Sequence, residues 1–256
     1  MASLEAREKA ALEEIKQFSR RAKALIEGIS VDTLVEEGGL NPYMTAALGL
    51  SIEDAVEMFI HRRVERSLGT SFGDAIERFL IKLLGGKSGK DIDPRCRGRN
   101  KKKPWVCWWD VVIERPYSEG GKEYNGIVLA VKSSSTNVNK DIVERFIQHA
   151  REAEENGYRP YLVFTYGKKV WSVVKPTMSG YGMNPKDYVI VGREIYDKLL
   201  GVGKDYYDHI IEKIVHEVQA EDLEFSKAVE RKKQQLLKEL KDRYGDDVIK
   251  LLKDLT

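Results

Sequence analysis

Apolar positions recur at helical spacing from residue 4 to residue 26, and Asn41-Pro42 then opens a short segment, NPYMTAALG, that Gly49 closes. Ser51 with Asp54, and Ser71 with Asp74, have the spacing of capping boxes. They predict two helices, SIEDAVEMFIHRRVERSLG and SFGDAIERFLIKLLGG, the second stopped by Gly85-Gly86. The pattern then changes. PWVCWWDVVIERPY and YNGIVLAVKSS are rich in aromatic and β-branched residues and flank SEGGKE, which predicts two strands joined through a Gly-Gly turn. Asn139 is placed to cap a helix reaching about Asn156, with Ile142, Phe146, Ala150 and Ala153 on one face and Gly157 beyond its end. YLVFTY and VWSVV, separated by Gly167-Lys168-Lys169, read as a further hairpin, and from Arg193 onward the pattern is helical again. No internal repeat or Pro/Gly/Ser-rich linker interrupts the chain. The expected organisation is a helical region at 1–70, a mixed core at 71–192 and a helical region at 193–256, folded as one compact unit.

Composition narrows this picture. Of 256 residues 33% are charged, yet 42% are hydrophobic, enough to bury a core. No apolar run approaches the roughly 18 residues of a membrane span, and the N-terminus reads as an amphipathic helix, not a signal peptide. Two cysteines, Cys96 and Cys107, are too few for a disulfide framework or a four-ligand zinc site. They read as a loop thiol and a small buried hydrophobe, which makes a reducing, cytoplasmic home the expectation. Abundant Lys and Glu with few Asn and Gln point to a thermophilic source and a melting temperature above about 60 °C. The net charge of +2 hides a local excess: residues 87–103 carry eight basic side chains against Asp91 and Asp93. GGKSGK in that segment lacks the glycine spacing of a phosphate-binding P-loop, and the three tryptophans at 105, 108 and 109 read as core packing.

Chemistry enters with three residues. Asp110 sits in an otherwise apolar strand, where a carboxylate is costly unless paired, hydrogen-bonded or bound to metal, and Lys132 poses the same question on the next strand. A turn centred on Gly120-Gly121 sets Asp110 opposite Val131; a bulge or an odd loop shifts the register and brings Asp110 and Lys132 to one face. An ordinary ion pair on a solvated face is the competing explanation. Glu77 falls in a helical row with Gly73, Leu80 and Leu84, leaving a carboxylate among apolar neighbours that needs a cation.

A helix glutamate, a strand aspartate and a lysine on the following strand, then a helix and another strand, resemble the PD-(D/E)XK nuclease superfamily and its type II restriction endonucleases. The resemblance rests on SFGDAIERFL with Glu77, WWDVVIE with Asp110 and LAVKSSSTNVNKDIVERF with Lys132, across about residues 41 to 165. It implies an α/β (α+β) fold with a mixed central sheet flanked by helices, carrying helical additions at both ends. It implies a sequence-specific, Mg²⁺-dependent endonuclease acting on double-stranded DNA, with Asp110 and the Val131 carbonyl as metal ligands and Lys132 activating the attacking water. The chain departs from the family pattern at Ala130, where the second acid is expected two residues before the lysine. Glu77 is the first choice to replace it and Glu144 the second. A repair nuclease or junction resolvase of the same fold, and a DNA-binding protein with an impaired site, stay open beside the restriction reading.

DNA contacts are expected from Arg95, Arg97, Arg99 and Lys101 in the basic segment, and from Ser133, Ser134, Ser135, Asn137, Asn139 and Lys140 beyond Lys132. The same residues also fit a solvated loop that satisfies its own backbone. Cleavage of a palindrome calls for a homodimer, and the family implies a companion DNA methyltransferase.

Overall fold

Helix α1 (Leu4–Glu27) follows from the predicted spacing, and α2 (Val31–Val35) follows it. Asn41 caps α3 (Pro42–Ala47) by accepting from the Met44 amide at 3.0 Å. The Ser51–Asp54 capping box forms as expected: the Asp54 amide donates to Ser51 Oγ at 3.1 Å, and the Ser51 amide to Asp54 Oδ2 at 3.4 Å. The Ser71 box does not. The two predicted helices are one, α4 (Ile52–Leu84), and the Ser71 hydroxyl donates back to the carbonyls of Ser67 and Leu68. Gly69 inside a helix costs only about 1 kcal/mol, and no proline intervenes, so the hydrogen-bond ladder runs through.

This is a computed structural model that describes residues 2–35, 41–98, 103–133, 138–167, 170–245 and 252–253. Where the pattern implied one compact unit with a core at 71–192, the chain divides into two: Met1–Ile15 with Gly73–Ile214, and Lys16–Phe72 with Val215–Thr256. The second is helical. Its core gathers Ile26, Leu34, Val56, Ile60, Leu236 and Leu240 from α1, α2, α4 and the helix Phe225–Tyr244.

The first unit has mixed α+β architecture, a central mixed sheet flanked by helices. Among the described residues the sheet has the order β1-β4-β5-β6: β1 (Val111–Ile113) antiparallel to β4 (Gly126–Lys132), then β5 (Tyr158–Phe164) and β6 (Val189–Val191), each parallel to its neighbour. Helix α6 (Lys140–Glu155) makes the crossover from β4 to β5, and Asn139 caps it through the Ile142 amide at 3.0 Å. Its buried face is Val143, Phe146, Ile147, Ala150 and Ala153, so Val143 takes the place expected for Ile142. Val128, Ala130, Leu162 and Phe164 meet α6 on one face of the sheet. On the other face Val111, Leu129, Val131 and Val163 meet Phe79, Leu80, Leu83 and Leu84 of α4.

Two strand predictions fail. PWVCWW forms a 3₁₀ turn, Trp105–Trp108, because that geometry puts Val106 and Trp109, three residues apart, together in the core. VWSVV belongs to helix α7 (Trp171–Gly180): Val170, Val174 and Met178 recur every four residues and bury fully, a helical period hidden in a β-branched run. The cysteine expectation also fails, since Cys96 and Cys107 are joined in a disulfide with Cα atoms 5.3 Å apart. Among the described residues no helix is long and apolar enough to cross a membrane.

Candidate functional site

The register decides which side chains meet. The Gly120-Gly121 turn closes a separate ribbon in which β2 (Tyr117–Glu119) pairs Tyr117 with Tyr124 of β3 (Lys122–Tyr124). The main sheet pairs Ile113 with Ile127. Between these two pairs lie residues 114–116 on one side and 125–126 on the other, so the sheet is one residue out of step with the ribbon. That offset is the bulge the sequence left open. Asp110, immediately before β1, precedes the Val111–Leu129 pair, so it stands at the level of Ala130 and not of Val131, near the end of β4 that carries Lys132. Because β1 is antiparallel to β4, Asp110 and Lys132 both lie at the carboxyl end of the parallel strands, the end at which open α/β sheets bind ligands.

The backbone fixes Asp110 twice. Its amide donates to the Leu129 carbonyl at 3.0 Å, and its carboxylate Oδ2 accepts from the Val131 amide at 2.7 Å. Burial raises the Asp110 carboxyl above its usual range; the nearby charge of Lys132, the Val131 hydrogen bond and the charge of Lys90 oppose that rise. Glu77 approaches from α4, one turn before Leu80 and two before Leu84. Burial, and after it the charge of Asp110, push its carboxyl up to about 7, while Lys132 pulls it down; Asp74 adds to the rise and Lys90 opposes it. Glu77, Asp110 and Lys132 are therefore electrostatic neighbours. Glu144 is not part of this group. It accepts from the Tyr181 hydroxyl at 2.9 Å and pairs with Lys140 at 3.5 Å.

These carboxylates, with the Val131 carbonyl, suit a hard divalent ion. Burial first, and the charge of Asp110 after it, make Glu77 hold its proton to an unusually high pH despite Lys132 and Lys90. Among the described residues no three His, Cys, Asp or Glu side chains come together as a ligand set. One or two carboxylates with backbone and water oxygens match the habit of Mg²⁺, which keeps much of its hydration, better than that of an ion needing a full protein cage.

The basic segment reaches the site through its glycines. Lys87 and Val112 exchange backbone hydrogen bonds at 2.9 and 2.8 Å, and the Gly89 amide donates to the Trp109 carbonyl at 3.0 Å. A Cβ on Gly89 would lie 2.0 Å from the Val106 carbonyl oxygen and 2.6 Å from that of Trp109, so only glycine fits there. Helix α5 (Gly89–Ile92), capped by Ser88, is thereby laid against the turn that precedes Asp110, and it carries Lys90. In the sequence Lys90 is only one of eight basic residues between 87 and 103. The clue was the Gly86-Lys87-Ser88-Gly89 spacing, which marks close backbone approach and not a P-loop.

Of the expected DNA contacts, Arg95 and Arg97 are exposed and pair with Asp93 at 2.6 Å and with Asp91. The Asn139 side chain is used in capping α6, Lys140 pairs with Glu144, and the Ser133 carbonyl accepts from Thr165 Oγ1 at 2.9 Å. Arg99, Lys101, Ser134, Ser135 and Asn137 lie outside the described residues. No family model matches this chain, and no curated protein does.

Proposed function

We propose that the chain is a Mg²⁺-dependent, site-specific endonuclease of double-stranded DNA, of type II restriction kind, with a PD-(D/E)XK core in its mixed unit. The observation that carries this reading is the grouping of Glu77 and Asp110, two mutually repelling carboxylates, beside the ammonium of Lys132 at the carboxyl end of the sheet. Asp110, Glu77 and the Val131 carbonyl would hold the ion, which supplies charge neutralisation at the phosphate and a more acidic water. Glu77 thus stands in for the acid missing at Ala130. Lys132 has three donors and no acceptor; its part is to orient the attacking water and to offset negative charge as the phosphorus gains an oxygen and the opposite P–O bond breaks. The pairs Arg95–Asp93 and Arg97–Asp91 are exposed and screened by solvent, so both arginines can exchange a carboxylate for a phosphate. A homodimer and a partner methyltransferase belong to this reading, as does an intracellular location.

Ala130, where the family pattern has its second acid, favours one second reading, a DNA-binding protein with an impaired site. Incubation with plasmid DNA and Mg²⁺ separates them. Discrete fragments support the restriction reading, structure-dependent nicks a resolvase or repair enzyme, and intact plasmid retained on the protein the impaired one.

A further inference from the structure

The segment that precedes the site holds an unused cation. Among the described residues of 87–98 there are four basic side chains. Three are matched to carboxylates: Lys87 with Glu114 at 3.0 Å, Arg95 with Asp93 and Arg97 with Asp91. The fourth, Lys90, is exposed and has no ion pair among the described residues. Its backbone is nevertheless among the most firmly held in the segment. Gly89, its neighbour, is wedged under the carbonyls of Val106 and Trp109. The Cys96–Cys107 disulfide then ties this stretch to the 3₁₀ turn that leads into Asp110. A long, rotamer-rich side chain on a backbone pinned so tightly keeps the freedom of its stem but not of its origin.

We infer that Lys90 is a second substrate-facing cation of the site, contacting a non-bridging oxygen of a DNA phosphate at the Asp110–Glu77 pair. This rests on the nuclease reading above and adds a residue to it. Lys132 and Lys90 come from opposite edges of β1, one from β4 and one from the segment that pairs with β1 through Lys87. The polyanion therefore meets positive charge from both edges of the strand that Asp110 leads into. Without Lys90, a phosphate brought to these carboxylates would be opposed by two negative charges and favoured by one lysine. The influence of Lys90 on both carboxyls agrees with this location.

The test is DNA binding by the full chain without divalent metal, measured across a salt series with Lys90→Ala and Lys90→Arg. A phosphate contact contributes about 0.9 to the slope of log K against log salt. The inference expects the slope to fall by about 0.9 in Lys90→Ala and to stay at the wild-type value in Lys90→Arg. With Mg²⁺, Lys90→Ala should slow cleavage by about 100-fold. A wild-type slope in Lys90→Ala would overturn the inference while leaving the nuclease reading standing if Asp110→Ala still lowers cleavage by about 100-fold or more. A wild-type protein that neither binds nor cuts DNA would remove both.

Discussion

Burial makes Asp110 and Glu77 costly to ionise, and that has consequences before any substrate arrives. Asp110→Ala and Lys132→Ala should each lower Mg²⁺-dependent cleavage by about 100- to 1000-fold while the far-ultraviolet circular dichroism stays unchanged. Full activity in either variant removes the residue from the site. Glu77 carries the pH dependence. Its carboxyl ionises near 4.5 in an unfolded chain and at about 7 in the folded one. Between those values the unfolded state has lost a proton that the folded state keeps, so folded stability falls as pH rises from 4.5 to 7. Glu77→Gln has no such proton. In metal-free melting curves its advantage over wild type should grow across that interval and level off above pH 7; parallel curves would mean that Glu77 is solvated normally. Asp110 and Lys132 were legible in the sequence because a charge in an apolar strand is conspicuous. Lys90 was hidden because its position depends on how closely two backbones approach at Gly89.

Elements were read well where a local signal fixed them. Asn139, Gly157 and the 3.6-residue period of 140–155 predicted α6, and the Ser51 box predicted the start of α4. They were read poorly where packing overrode composition. Val170-Trp171-Ser172-Val173-Val174 has strand composition but buries its apolar residues at helical spacing, and the aromatic run at 105–109 turns to place Val106 and Trp109 together. The register at Asp110 depends on a single extra residue between β1 and β2, which no pattern of alternation reveals. The seam between Gly89 and the 105–109 turn is the most sensitive of these elements. Gly89→Ala must move the Val106 carbonyl and should destabilise the protein by about 1–3 kcal/mol in urea unfolding. Unchanged stability would show that the seam yields freely.

At the scale of the molecule the chain builds two units from interleaved stretches, and the candidate site uses residues of the mixed unit alone. The Cys96–Cys107 disulfide closes a short loop beside that site, and its removal in Cys96→Ser/Cys107→Ser should lower unfolding free energy by about 3 kcal/mol. Identical denaturation curves for this variant and the oxidised wild type would deny the bridge a stabilising part. The division into units was not legible because helices such as α1 and α4 contribute to both, and nothing in a continuous helical period marks where its contacts change partner. Everything functional in the mixed unit depends on whether its two carboxylates hold a divalent ion. Mn²⁺, standing in for Mg²⁺, can be titrated at pH 8 and followed by electron paramagnetic resonance in wild type, Asp110→Ala and Glu77→Gln. The account predicts saturable binding in wild type, weaker binding in Glu77→Gln and none in Asp110→Ala, whereas wild-type Mn²⁺ binding by Asp110→Ala would contradict it.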